Sequence, residues 1–263
     1  MNEFSQALFA CALFLGSGIA GLLLRGVLPE RHRDHETTEF VKLLLSALVA
    51  FLAIVLGLLT ASAKAHFDDV SEAYRHFGAT IVELDHALRE NGPAAADVRQ
   101  EMRAYLAAVI ASTWPQEPAP SGSYLRGLPS GQAESVQLSS LLSKVEMTLH
   151  NIQATPDPTG IEAEALTRFG DLVDARWRVI ETSHPTLPGL FYALMLFWTA
   201  LVFLGFGLSA KRNAVVAVTV VICAVSLASV IYVILDLDTP LSGQLAVSSA
   251  PLRDALADLD REF

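Results

Sequence analysis

The residues able to do chemistry are few and scattered. His66, His76 and His86 recur every ten residues. Ten residues of helix turn through about 1000°, some 80° short of three turns, so these imidazoles do not converge on one metal position. His32, Asp34 and His35 lie close together and offer ligand types that zinc accepts, but no fourth ligand stands near them. Cys11 and Cys223 both fall in apolar runs. Two thiols are too few for a disulfide framework or a four-thiolate zinc site. Ser17, in Gly16-Ser17-Gly18, is not the serine of a nucleophile elbow. There is no glycine-rich phosphate loop after a strand and no His-Glu-x-x-His. Asp236 and Asp238 end an apolar run just before Thr239-Pro240. A helix C-terminus disfavours anions, so this pair reads either as a plain helix end or as a ring of carboxylates at a pore mouth in an oligomer. No catalytic set, metal site or cofactor site is expected, and the chain does not read as an enzyme.

The elements that would carry such residues are mostly apolar. Of 263 residues, 52% are hydrophobic and 17% charged, and the mean hydropathy is +0.42. An ordinary soluble domain is about 25% charged. The excess is concentrated in four charge-free runs, Phe4–Leu24, Leu43–Ala63, Leu187–Ala210 and Asn213–Leu235. Each is long enough to cross a bilayer core of about 30 Å as a helix, and lipid leaves a single spanning segment no other way to satisfy its backbone. The first run begins Met1-Asn2-Glu3 and is too long for a signal peptide core, so it is read as a retained span. The expected organisation is spans one and two over 1–63, an extramembrane domain over 64–186, spans three and four over 187–235, and an acidic tail over 236–263. With four spans, the N-terminus, domain and tail share one side of the membrane.

Charge follows the same division. Residues 61–186 hold 10 basic and 17 acidic side chains, and the tail holds 2 and 6. A whole-chain balance of 18 basic against 28 acidic residues argues against nucleic acid, whose binders are basic. Sidedness follows Lys and Arg in short loops. Arg25, Arg31, Arg33 and Lys42 lie in the first short loop and Lys211 and Arg212 in the second. This puts the short loops in the cytoplasm and the domain on the exoplasmic side of the plasma (inner) membrane.

The domain reads as helices throughout. Phe67, Val70, Tyr74, Phe77, Ile81, Leu84 and Leu88 are spaced 3, 4, 3, 4, 3, 4, an a/d seam over three heptads. One helix is expected from about Lys42 to Glu90, stopping at Asn91-Gly92-Pro93. In its membrane part Ser46, Ala50, Ala53, Gly57 and Thr60 form a stripe of small residues, the kind that lets membrane helices approach closely or lines a pore. Further helices are expected over Ala94–Thr113 (Val98, Met102, Tyr105, Val109) and Gln132–Gln153 (Leu138, Leu142, Val145, Leu149, Ile152). A third, Gly160–Thr182, opens on a Thr159–Glu162 capping box and carries Leu166, Phe169, Val173, Trp177 and Ile180 as its apolar stripe. A short tail helix, Pro251–Asp260, carries Leu252, Ala255, Leu256 and Leu259. The fold class is all-α, a four-span membrane protein with a helical domain inserted between spans two and three.

Several stretches resemble the bestrophin-like domain family. They are Leu56-Gly57-Leu58-Leu59-Thr60-Ala61-Ser62-Ala63, Val70-Ser71-Glu72-Ala73, Arg103-Ala104-Tyr105, Leu187-Pro188 and Asp238-Thr239-Pro240-Leu241-Ser242-Gly243. The last is the most specific. Within these motifs Glu72, Pro240 and Gly243 are the residues singled out. The family usually has an aromatic where this chain has Leu241, and a Glu-Ala-Asn-type stretch where it has Tyr74-Arg75. The resemblance implies a four-span fold like that of the bestrophins, which are pentameric anion channels with their helical region in the cytoplasm. That side is opposite to the one read from the charges. The function so implied is a homo-oligomeric ion channel in a lipid bilayer, passing anions, with no match to a calcium clasp. The alternative is a non-transporting membrane sensor or assembly scaffold, in which the heptad seam passes a helix movement across the membrane. No charged residue lies inside any span, so the usual signature of an ion-coupled carrier is missing; a channel can do without it.

Overall fold

A computed structural model of the chain describes residues 3–27, 35–90, 92–128, 135–152, 161–184, 189–210 and 213–261. Among these residues every regular element is helical. In chain order they are α1 (Glu3–Val27), α2 (His35–Glu90), a 3-10 turn (Gly92–Ala95), α3 (Ala96–Thr113), α4 (Val136–Ile152), α5 (Ile161–Thr182), α6 (Gly189–Ser209), α7 (Ala214–Asp238) and α8 (Ala250–Leu259). They form two compact units, one of residues 1–66 and 185–238, the other of residues 67–184 and 239–263. Four helices, α1, α2, α6 and α7, are long and apolar enough to cross a membrane. Residues 28–34 of the first short loop, with Arg31, His32, Arg33 and Asp34, the Lys211-Arg212 turn, Thr159 of the capping box and the Leu187-Pro188 motif lie outside the described residues. So do the side chains of His35, Ile152 and Glu162.

The first unit is built on glycine. Ala7, Ala10, Phe14, Gly18 and Gly21 of α1 are buried, at spacings of 3, 4, 4 and 3, which makes one helix face. That face meets α6. A Cβ on Gly21 would sit 3.0 Å from the Leu208 nitrogen, and one on Gly207 would sit 2.9 Å from the Leu22 nitrogen. The two backbones therefore touch where neither helix carries a side chain, the close packing that small residues allow in membranes. Phe14 stacks on Phe203 with centroids 5.3 Å apart. The Arg25 guanidinium at the end of α1 donates to the Ser209 carbonyl 2.8 Å away at the end of α6, satisfying an orphan acceptor of the last helical turn. At the other end the Tyr192 hydroxyl bonds the Gln6 carbonyl at 3.3 Å. Hence α1 and α6 run parallel.

In the second unit the a/d seam of α2 is the core. Val70, Tyr74, Phe77, Ile81, Leu84 and Leu88 are all buried and Phe67 is partly so. The expected stripes of α3 and α4 are buried too, at Val98, Met102, Tyr105 and Val109 and at Leu138, Leu142, Val145 and Leu149. Gly92 has φ +64°, a conformation that favours glycine and turns the chain between α2 and α3. Helix α2 begins at His35, seven residues before the expected Lys42. The apolar run marks the stretch suited to lipid, and the helix is free to extend past it.

One position of an expected stripe is wrong, while Phe169 and Ile180 are buried and Leu166 and Val173 pack against the core as expected. Trp177, placed on the apolar stripe of α5, is 53% exposed, while its neighbour Arg176 is only 7% exposed. The buried face of α5 is Ala165, Phe169, Leu172, Ala175, Arg176, Val179 and Ile180. Small alanines let this face pack closely, and periodicity weighted towards large side chains placed Trp177 on it.

The tail straps onto the same unit. Leu252, Ala255, Leu256 and Leu259 of α8 are buried. A Cβ on Gly78 would lie 2.9 Å from the Pro251 carbonyl oxygen, so α8 rests directly on the α2 backbone. The Trp114 indole donates to the Val247 carbonyl at 2.7 Å, Arg89 to that of Asp258 at 2.6 Å and Arg253 to that of Pro118 at 2.8 Å. Arg103 is paired with Asp260, and this carboxylate raises the guanidinium's pKa further, against the smaller opposing effect of burial.

Candidate functional site

The candidate pore-lining stripe lies in the membrane part of α2. Its spacing of 4, 3, 4, 3 keeps Ser46, Ala50, Ala53, Gly57 and Thr60 on one face. Ser46, Ala50, Ala53 and Gly57 are exposed and Thr60 is half-buried. An adjoining face of the helix, about a quarter turn round, makes what packing there is, and Leu43, Leu44, Val49, Ile54 and Leu58 are exposed along with the stripe. Leu52 and Leu56 are buried, the Leu45 side chain lies against Gly205, and Phe51 meets Trp198 edge-on at 5.2 Å. Only 6% of the apolar window of α2 is buried, against 28% in α1 and 33% in α6. The close helix contact is thus made by Gly18, Gly21 and Gly207, and nothing lies within 4 Å of a Cβ built on Gly57. The two polar members of the stripe are satisfied locally. Ser46 donates to the Lys42 carbonyl and Thr60 to the Leu56 carbonyl, each at 2.8 Å. The stripe therefore presents methyl groups, a bare backbone and hydroxyl oxygens, with no charge.

The acidic pair has a different setting. Asp236 is 0% exposed and Asp238 5% exposed, in the last turn of α7. A ring of carboxylates at a pore mouth needs oxygens open to solvent, and within this chain both side chains are covered. The family-motif residues divide between surface and turn. Glu72 is exposed and pairs with Arg75 at 3.7 Å, a contact between solvated side chains that is worth little. Pro240 is buried, and its carbonyl accepts from the Val247 N–H at 2.8 Å. Gly243 has φ +94°, strained for any residue with a Cβ. The motif Thr239–Gly243 is thus a loop that closes on itself and leads the chain to Trp114 and α8.

Among the described residues, no three His, Cys, Asp or Glu side chains gather as a metal site. His76 and His86 are exposed, whereas His66 is buried with no partner for its Nε2. Sequence reasoning missed two buried polar clusters in the helical unit. In one, Asp85, 1% exposed, accepts from Arg89 at 2.7 Å and from Arg99 at 2.6 Å. In the other, Arg176 approaches the phenols of Tyr74 and Tyr105 around a small cavity. The signal for the first was the i, i+4 spacing of Asp85 and Arg89 at the end of the seam. The second carried no signal until Arg176 was placed on the buried face of α5.

The family model of the bestrophin-like domain matches residues 11–252. No curated protein matches the chain. Among solved structures, a bacterial bestrophin homologue from Klebsiella pneumoniae carrying a tryptophan-to-alanine mutation is similar with TM-score 0.72 and 14% identity, covering 98% of this chain and 97% of that one. A structure of a bacterial bestrophin homologue from the same organism, phased on zinc, is similar with TM-score 0.69 and 15% identity over 96% of both chains. At such identities the likeness is one of fold.

Proposed function

Because the chain belongs to the bestrophin-like domain family, we propose that it is a homo-oligomeric ion channel of the membrane, passing anions, with the second helix lining the pore. The observation that carries this reading is the uncovered stripe of α2. Small side chains at Ser46, Ala50, Ala53 and Gly57 are poorly used against lipid, which larger apolar groups would fill better. Around a central axis they leave room for an ion. An uncharged, weakly polar lining suits a pore that passes ions between binding sites without holding them. We assign the chain no catalytic role, and Asp236 and Asp238 no role in the lining.

Reconstitution into planar bilayers tests the proposal. Currents whose reversal potential follows the chloride gradient are expected. Silent membranes across chloride, potassium and pH gradients would sink it, as would a chain that is monomeric in mild detergent. The alternative of a sensor or scaffold draws on α2 itself, since one uninterrupted helix of 56 residues supplies both the stripe and the heptad seam. Oligomers that stay silent in every gradient would favour it. The side of the membrane is part of the proposal. The charge reading places the helical domain outside, against the side implied by resemblance to bestrophins. Ser121→Cys, in a background with Cys11 and Cys223 replaced, should react with an impermeant maleimide on intact cells. Reaction only after lysis would reverse the orientation.

A further inference from the structure

The membrane unit carries an apolar groove that the channel reading does not use. It has a volume of about 270 Å3 and lies between α1, the end of α6 and the start of α7. Leu15, Ile19 and Leu22 of α1 line one side, and Val216, Val220 and Val221 of α7 the other. Gly207 and Ala210 of α6 complete the wall. The α1 and α6 backbones meet at Gly21 and Gly207, where neither helix offers a side chain to fill the space alongside. The groove is half open, and two of its wall residues, Ile19 and Val221, stay about half exposed.

Its place along the span is informative. From Leu15 to Leu22 the wall runs about 10 Å along α1, at about 1.5 Å per residue, and Arg25 follows within one turn. The groove thus lies in one leaflet of a bilayer whose core is about 30 Å thick. Its end at the bilayer surface carries positive charge. Arg25 is half-buried there and held by two hydrogen bonds from Nη1, to the Ser209 carbonyl at 2.8 Å and to that of the wall residue Ala210 at 2.5 Å. The polar residue of the wall, Asn213, caps α7 by accepting from the Val215 N–H at 3.1 Å. The positive end of that helix dipole therefore opens at the same place. Residues 187–235 hold no acidic side chain, and their two basic ones, Lys211 and Arg212, stand in sequence between Ala210 and Asn213.

The possible contents differ in fit. Left empty, the walls forgo their van der Waals contacts. Water needs two to four polar partners, which this wall does not offer. A helix of a second copy is about 10 Å across and would cover the groove without filling it. A flexible hydrocarbon chain fills it, and basic pockets between spans favour anionic head groups. We propose that the groove holds one acyl chain of an anionic phospholipid, with the phosphate of its head group at Arg25 and the α7 N-terminus. The chain fills the gap between α1 and α7, and the charge at the mouth selects the lipid.

The test uses the full chain, delipidated in mild detergent, with phosphatidylglycerol and phosphatidylcholine of identical acyl chains as probes. Native mass spectrometry should find one phosphatidylglycerol retained per chain. It should be preferred over phosphatidylcholine by about fivefold, the worth of one basic side chain near an anionic surface. Arg25→Gln keeps a donor for the α6 carbonyls and should remove that preference. Ala217→Phe, at an exposed position of the wall, should abolish retention of both lipids. Should either variant fail to fold, phosphatidylglycerol with a photoactivatable group on its acyl chain decides on the unaltered protein. Its cross-links should fall within residues 15–22 and 216–221. Cross-links spread over the exposed apolar faces of α1, α2 and α6 would overturn the proposal. So would equal retention of the two lipids, or retention that Ala217→Phe leaves unchanged. A parent that retains no lipid, and whose subunit number falls in Ala217→Phe, would give the groove to a second copy instead. The readout is binding and not current, so its outcome is separate from that of the channel proposal.

Discussion

At the residue scale, the side chains that matter most to the helical unit are buried and polar. Asp85 accepts from two arginines on different helices, so its loss leaves two partly buried cations facing each other. Breaking a buried pair costs about 3–5 kcal/mol. The arginines keep some access to water, which argues for the low end. Asp85→Ala should therefore lower unfolding stability by about 3 kcal/mol in denaturant titrations, and Asp85→Asn by less. Tyr105 predicts a pH dependence. Its folded-state pKa of about 12 lies above the ordinary phenol value, so the unfolded chain loses this proton first as pH rises. The stabilisation is whole below about pH 10 and is lost as pH climbs towards 12. Thermal scans across that interval should show a falling midpoint, and Tyr105→Phe should flatten the fall. Neither residue announced such a role. Tyr105 was read as an apolar seam position and as part of a family motif, and both descriptions fit a side chain whose ring packs while its hydroxyl faces a void.

At the element scale, the two glycine-bearing helix surfaces are opposites. Gly207 of α6 lies against the α1 backbone, whereas Gly57 of α2 has open space where a Cβ would be. Gly207→Ala should separate α1 from α6 and destabilise the membrane unit by about 2 kcal/mol or more, within the range for overpacking a close contact. Gly57→Ala should leave stability within about 1 kcal/mol, since the helical preference for alanine is of that size. Melting of both variants in detergent separates the two cases. The sequence shows small residues at both places and cannot rank them, because a gap in side-chain volume becomes a contact only when a second backbone fills it. The seam of α2 was legible, since large apolar residues at strict heptad spacing leave one face to bury. The stripe of α5 was legible only in part, since Leu166, Phe169, Val173 and Ile180 face the core and Trp177 does not. Its buried side uses Ala165 and Ala175 with Arg176, which hydrophobic periodicity scores poorly, and the large Trp177 took the place of Arg176 in the expected stripe.

At the scale of the whole molecule, the channel reading makes a prediction about assembly. If copies surround an axis lined by α2, bulk on the stripe should block current without preventing assembly. Ala53→Trp should reduce the chloride current more than tenfold while native mass spectrometry finds the same subunit number as in the parent. A substitution that leaves the current intact would move the pore away from α2. The buried setting of Asp236 and Asp238 gives a second expectation at this scale. Asp236→Asn should alter folding yield or thermal stability before it alters ion selectivity, which paired selectivity and melting measurements would decide.

The sequence by itself determined which stretches suit lipid, which are helical, and that the helical insertion and the acidic tail would be found together. These follow from local rules, the length of charge-free runs and the period of large apolar side chains, each satisfied within one segment. Tertiary structure alone decided that Gly21 and Gly207 meet while the stripe of α2 stays uncovered. It also decided that Asp236 and Asp238 are enclosed, and that Arg176 points into a cavity with Tyr74 and Tyr105. The reason is physical. Burial of a small or polar residue is fixed by what approaches it from another part of the chain, and such residues have too little hydrophobic surface of their own to dictate which way they face.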